Sequence, residues 1–224
     1  MVGRIGPLAK AFDFVATAAP GVREILIVGK LCYEVREGHY DFVVADASAT
    51  GHIVGQLAAP QAINEHVKVG LIRSQTDWML DILSDPERTG LAVVTTPEEM
   101  PVNETMELSR RVKEETTVEL AAVIVNRVLP ELFGRTEEEV FEQLRRSENV
   151  ANLSELARGD VEPILEAARL AVTLRRTGAG HLERLRAGID PRVPMMYLPY
   201  LFTRSHGLRT IKQLARSIGE ELTS

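Results

Sequence analysis

At 224 residues, with 45% apolar and 26% charged side chains and a net charge of −6, the composition excludes a disordered chain and suits one large globular domain. No apolar run approaches the ~20 residues that cross a bilayer, and Met1 to Lys10 lacks the apolar core of a signal peptide. A single cysteine, Cys32, cannot form an internal disulfide, which fits a reducing cytoplasm, and the mild acidity weighs against nucleic acid as a partner.

After Pro20–Gly21 the spacing of Val22, Ile25, Leu26, Cys32 and Val35 predicts a helix. Tyr40 to Ala45 is a short apolar run of the kind buried on both faces of a parallel sheet, and it ends at Asp46. Small and turn-forming residues follow, from Ala47 to Gly51. A mostly helical stretch runs from Ile53 to Leu83, with a break expected near Pro60 and a stop at Ser84-Asp85-Pro86. Gly90 to Thr95 reads as a second buried strand. Pro101 opens the next helix, with Val102, Met106 and Val112 near one face, and Glu119 to Val125 is a third strand ending at Asn126.

Further on, Thr136 with Glu139 has the form of a capping box ahead of Val140, Phe141 and Leu144. Val161 to Leu185 is helical with a charged surface, and Arg192 to Leu198 is a fourth strand ending at Pro199-Tyr200. Ser205 is placed to cap a last helix whose core stripe is Leu208, Ile211, Leu214, Ile218 and Leu222. Strands alternating with helices imply an α/β fold, a mostly parallel sheet flanked by helices. The four runs near 40–45, 90–95, 119–125 and 192–198 are expected to be neighbours in it. Ligands in such sheets sit at the carboxyl ends of strands, here Asp46, Thr95, Asn126 and Pro199.

Asp46-Ala47-Ser48-Ala49-Thr50-Gly51-His52 resembles the switch II motif of the arsenite-pump and tail-anchored-protein-targeting ATPases, Asp-Thr-Ala-Pro-Thr-Gly-His. Asp46, Thr50, Gly51 and His52 match it. Pro97-Glu98-Glu99-Met100-Pro101-Val102-Asn103-Glu104-Thr105 resembles the segment after the family's next strand. Val123-Ile124-Val125-Asn126-Arg127 resembles the strand after that. The three blocks come in the family's order and at about its spacing. Pro199-Tyr200 falls where the family places its adenine loop.

The resemblance implies a P-loop NTPase-like domain that binds ATP and Mg²⁺ in a homodimer, or in a heterodimer with a paralogous ATPase subunit. It implies that Asp46 orders a water on the Mg²⁺, a hard cation that keeps several waters. Gly51 would let the backbone approach the γ-phosphate. Asn126, offering both donor and acceptor, would meet the adenine edge beside Pro199 and Tyr200.

Each residue also has a plainer reading. Asp46 could be a turn aspartate, although Thr50-Gly51-His52 behind it favours the switch. Asn126 could simply end a strand, and Pro199 and Tyr200 could end one and pack a ring. Glu98 and Glu99 suit a solvated helix entrance. His39, His66, His181 and His206 show no metal-ligand spacing.

A phosphate-binding loop needs Gly-x-x-x-x-Gly-Lys followed by Ser or Thr, and the sequence contains none. Gly29-Lys30 is followed by Leu31 inside a helical pattern. A segment matching switch I, with its catalytic aspartate, is also missing, as is the cysteine pair with which some members bind zinc. Residues 1–224 therefore read as one ATPase-like domain without the family's P-loop and switch I portion. Three expectations follow: a gap at one flank of the sheet, dependence on a partner, and no ATP hydrolysis by the chain alone. The alternative is a shortened, non-enzymatic paralogue that pairs with a complete subunit and regulates it. One cysteine cannot form a multi-thiol arsenite site, and the client or transported species is not legible.

Overall fold

The structure, a computed structural model, describes residues 22–47, 50–203 and 207–223. In chain order the described elements are α1 (Val22–Glu37), α2 (Thr50–His66), α3 (Leu71–Leu83), β1 (Leu91–Thr95), α4 (Glu99–Glu115), β2 (Leu120–Val128), α5 (Arg135–Leu144), α6 (Ser147–Ala157), α7 (Glu162–Gly188), β3 (Met195–Pro199) and α8 (Leu208–Thr223). The strands form one sheet in the order β1-β2-β3. Strand β2 runs parallel to β3, with Val123 opposite Met195 and Val125 opposite Tyr197. This is the α/β architecture expected from the alternation of buried strands and amphipathic helices. By packing, the chain divides into two compact units: residues 1–93 with 104–122, and residues 94–103 with 123–224.

The first unit is built on α1, α2 and α3. Val28 and Cys32 of α1 bury against Met79, Ile82 and Leu83 of α3 and against Val118. Helix α2 contributes Val54, packed with Val93 of β1 and with Leu108 and Val112 of α4. Pro60 does not break α2, contrary to expectation. The helix runs through it to His66, and the ring is buried. Proline removes one N–H from the ladder, a loss that packing of the apolar face outweighs here. The break comes at Gly70, whose φ of 101° only glycine adopts readily.

Across that turn Asn64 Nδ2 donates to Asp77 Oδ1 (2.8 Å), Arg73 Nη1 donates to the Asn64 carbonyl (2.8 Å), and the buried Thr76 hydroxyl donates to Asn64 Oδ1. At the start of β1, a Cβ on Gly90 would lie 2.6 Å from that of Ala121, so this close passage needs a glycine.

In the second unit, strands β2 and β3 bury Val123, Val125, Met196 and Leu198, and Leu185 of α7 is fully buried. Helix α5 starts at Arg135, one residue before the expected cap. Its N-cap is Gly134, whose N–H donates to Glu137 Oε2 (2.9 Å), in place of the expected box of Thr136 and Glu139. Helix α6 was not expected from the sequence; it buries no residue. The proposed cap Ser205 lies outside the described residues.

Two expectations fail for a common reason. Tyr40 to Ala45 is not a strand: the chain from 42 to 47 has no regular structure, and Tyr40, Phe42 and Val44 are 64%, 83% and 79% exposed. In α8, Leu208, Ile211 and Leu222 are exposed and Thr210 is the buried residue. Apolar spacing reports a surface suited to burial. It does not supply the neighbour that performs the burial.

Candidate functional site at the strand ends

Of the four strand-end positions, two come together. Parallel pairing of β2 with β3 carries Asn126 and Pro199 to the same end of the sheet, where Val128 stands opposite Pro199 after a register shift that follows Val125. The Tyr200 N–H donates to the Val128 carbonyl at 2.8 Å, which fixes the chain just past β3 beside the end of β2.

Asn126 is half-buried, and its Oδ1 accepts the N–H of Arg127 at 2.9 Å. That bond accompanies a left-handed backbone at Arg127, φ 60°, which is uncommon outside glycine and asparagine. At this irregularity in β2 the Arg127 guanidinium lies 5.3 Å from the centre of the Tyr200 ring, and the Phe202 ring lies 4.8 Å from that of Tyr200, tilted. The result is an amide, a cation and two rings at adjoining strand ends. Such groups can stack on a planar heterocycle and read its polar edge.

The Arg127 contribution carries no sequence signal, because arginine is not a residue type that announces a left-handed turn. Thr95 stands at the end of β1. It is 5% exposed, and its hydroxyl has no hydrogen-bond partner.

The switch-like residues lie in the other unit. Asp46 is exposed on the irregular segment that precedes α2. Thr50 and Gly51 open α2, His52 is exposed in its first turn, and a Cβ on Gly51 would meet nothing within 4 Å. No packing inside the described chain therefore requires a glycine at 51. Pro199 is exposed and Tyr200 half-buried.

A cavity of about 210 Å³ in the second unit, between the Leu132–Phe133 turn and Val172 and Arg175 of α7, shares none of these residues. Among the described residues, no three His, Cys, Asp or Glu side chains group to hold a metal, and no helix is long and apolar enough to cross a membrane.

The sequence profile of the anion-transporting ATPases matches residues 7–79 and 71–157, well over half of the chain. The chain belongs to that family. The match takes in Asp46, Thr50, Gly51, His52 and Asn126 and stops short of Pro199 and Tyr200.

ATPase BagA of Mycobacterium tuberculosis is 31% identical over 136 residues, 58% of this chain and 39% of BagA. A putative arsenical pump-driving ATPase of Halobacterium salinarum is 26% identical over 160 residues, 67% of this chain and 24% of the relative. A second such protein, from Aquifex aeolicus, is 26% identical over 140 residues, 50% of this chain and 46% of the relative. The chain thus spans less than half the length of each of these relatives.

Asn126 in β2 and Tyr200 just past β3 place an amide and a ring on adjoining strands of the second unit, while Asp46 and Gly51 belong to the first unit and the sequence contains no glycine-rich loop with its lysine.

Proposed function

We propose that this chain is the base-reading and switch-bearing part of an ATPase, in which ATP binding and hydrolysis drive a conformational cycle of paired subunits. The observation that carries this reading is the juxtaposition of Asn126 with Pro199-Tyr200 at the joined ends of β2 and β3. Asn126 would read the adenine edge with its amide while Tyr200 and Pro199 cover the ring. Asp46 would hold a water on the nucleotide's Mg²⁺, which supplies charge neutralisation to the phosphates. The uncrowded Gly51 leaves room for a phosphate beside its N–H.

Residues 1–224 act in this reading as one cytoplasmic domain that needs a phosphate-binding loop from elsewhere. Positioned charges and amides around the β- and γ-phosphates provide most of the stabilisation in phosphoryl transfer. The chain by itself is therefore inactive and binds Mg·ATP weakly at most.

The exposed apolar segment at Tyr40, Phe42 and Val44 favours a second reading, a regulatory paralogue that completes its surface on another ATPase subunit. The DNA in frame upstream of Met1 distinguishes the two. A strand followed by Gly-x-x-x-x-Gly-Lys-Thr supports the first, and an interrupting stop codon supports the second. Titration of Mg·ATP into the chain carrying any such upstream segment tests the base-reading claim. Asn126→Ala should weaken that binding about tenfold, and an unchanged affinity would remove it.

A further inference from the structure

The cavity of about 210 Å³ lies wholly within the second unit, away from the strand ends. One wall is a face of α7. Ala171, Val172, Arg175 and Ala179 follow one another at intervals of one, three and four, which sets them on one side of a helix. The alanines at 171 and 179 leave the room that larger side chains would fill. A second wall is the segment between β2 and α5, with Leu132 and Phe133. Phe133 is held in place by stacking on the buried Phe141, with ring centres 4.8 Å apart and planes at 23°.

Two arginines line this cavity, and their charges are treated differently. Arg176 is paired, its Nη2 lying 3.0 Å from the Glu138 carboxylate. Arg175 is half-buried and forms no hydrogen bond or ion pair with any described residue. Its Nε is shielded from water and has no partner. Glu131 lines the same cavity but is exposed and makes no ion pair with Arg175.

A guanidinium that has lost hydration and gained no acceptor carries a desolvation cost. A carboxylate beside it offsets that cost, because the planar fork of arginine matches the two carboxylate oxygens. The apolar lining decides what the carboxylate is attached to. A dry cavity of roughly 150 Å³ takes up benzene, so 210 Å³ holds a ring with a short acidic arm. A small, strongly hydrated anion would gain nothing from Leu132, Phe133 and Val172.

We propose that this cavity binds a small aryl carboxylate, with the acid on Arg175 and the ring among Phe133, Leu132 and Val172. The site shares no residue with the nucleotide reading and needs no ATP, so the failure of either leaves the other standing.

Phenylacetate is the probe, titrated into the full 224-residue chain without nucleotide and followed by calorimetry or by amide shifts in NMR. Binding should be saturable. Acetate, which keeps the charge without the ring, should bind at least about tenfold more weakly, as should 2-phenylethanol, which keeps the ring without the charge. Arg175→Gln should weaken phenylacetate about tenfold and leave 2-phenylethanol unchanged, a difference that general damage to the fold does not produce. Ala179→Leu, which fills the cavity, should weaken both.

The wild-type comparison of the three probes decides the matter if either variant fails to fold. Absence of saturable phenylacetate binding up to about 20 mM overturns the proposal. Equal binding of phenylacetate and 2-phenylethanol overturns it too, as does a folded Arg175→Gln chain that binds phenylacetate like wild type.

Discussion

The two units treat their apolar runs differently. In the second, β2 and β3 pair, Val123, Val125 and Met196 are buried, and Val128 and Pro199, 71 positions apart in sequence, meet at one end of the sheet. In the first, the run from Tyr40 to Ala45 is also mostly apolar, yet it lies largely exposed, with no strand beside it among the described residues. The difference lies in available neighbours, not in the runs themselves. A strand's polar backbone must be paired before its side chains can be buried. Where pairing exists, a candidate site acquires geometry. Where it does not, Asp46 remains a sequence resemblance on an unpaired segment ahead of the helix that carries Thr50, Gly51 and His52.

The sharpest way to break this contrast is activity. The 224-residue chain should release no phosphate from ATP above a contaminant control. Joined to an upstream phosphate-binding segment, if the frame encodes one, it should turn over, and Asp46→Asn should then lower kcat by about 100-fold or more. Robust turnover by the chain alone would falsify the division of roles.

Stability offers a second lever. Leu185→Ala, at a fully buried position of α7, should cost about 2–5 kcal/mol in urea unfolding. Phe42→Ser, at an 83% exposed position, should change stability by no more than about 0.5 kcal/mol in this chain. If a longer chain provides strand partners, the same Phe42 change should cost about 3–5 kcal/mol. A large Phe42 effect in the 224-residue chain would mean that the run is already buried.

Much of this was legible before any coordinates. Strands β1, β2 and β3 announce themselves because each is a short apolar run closed by turn residues, and each finds its neighbour within the chain. Helix α1 likewise buries Cys32, as its spacing predicts. The failures have physical causes. Tyr40 to Ala45 and the stripe of α8 carry the composition of buried surface, but sequence periodicity cannot show whether a covering element exists. Pro60 is a helix breaker by propensity, and packing of α2 overrides it. At the site, Asn126 and Tyr200 came from resemblance, and their nearness came from strand register. The left-handed turn at Arg127 and the unpartnered hydroxyl of Thr95 are conformational facts without a residue-type signature.

The first unit's core can be probed by pH. Burial of Cys32 pushes its thiol up to about 11 from 9.0, because the thiolate is poorly solvated there. The folded state then holds its proton where the unfolded chain has lost it. Stability from this group is complete below about pH 9 and declines as pH rises from there towards 11. Cys32→Ala should remove this decline, so the stability gap between wild type and variant should narrow by up to about 1 kcal/mol between pH 8.5 and 10. A constant gap would show that the thiol ionises as freely folded as unfolded.

The smallest expected effect concerns Arg127, where the order of the second unit's strand ends is tested directly. Its φ of 60° costs an ordinary side chain about 1–2 kcal/mol, and glycine avoids most of that. Substitution also removes the guanidinium over the Tyr200 ring, about 0.5–1 kcal/mol at an exposed site, and glycine adds freedom to the unfolded chain. These contributions nearly cancel in Arg127→Gly, which should fall within about 1 kcal/mol of wild type. Arg127→Ala loses the same ring contact and keeps the strained backbone. The comparison between the two variants therefore isolates the turn, since the Arg127 N–H to Asn126 Oδ1 bond survives in both. Arg127→Gly should be the more stable by about 1 kcal/mol in urea unfolding. If Arg127→Ala equals or exceeds it, the backbone at 127 is not left-handed in solution.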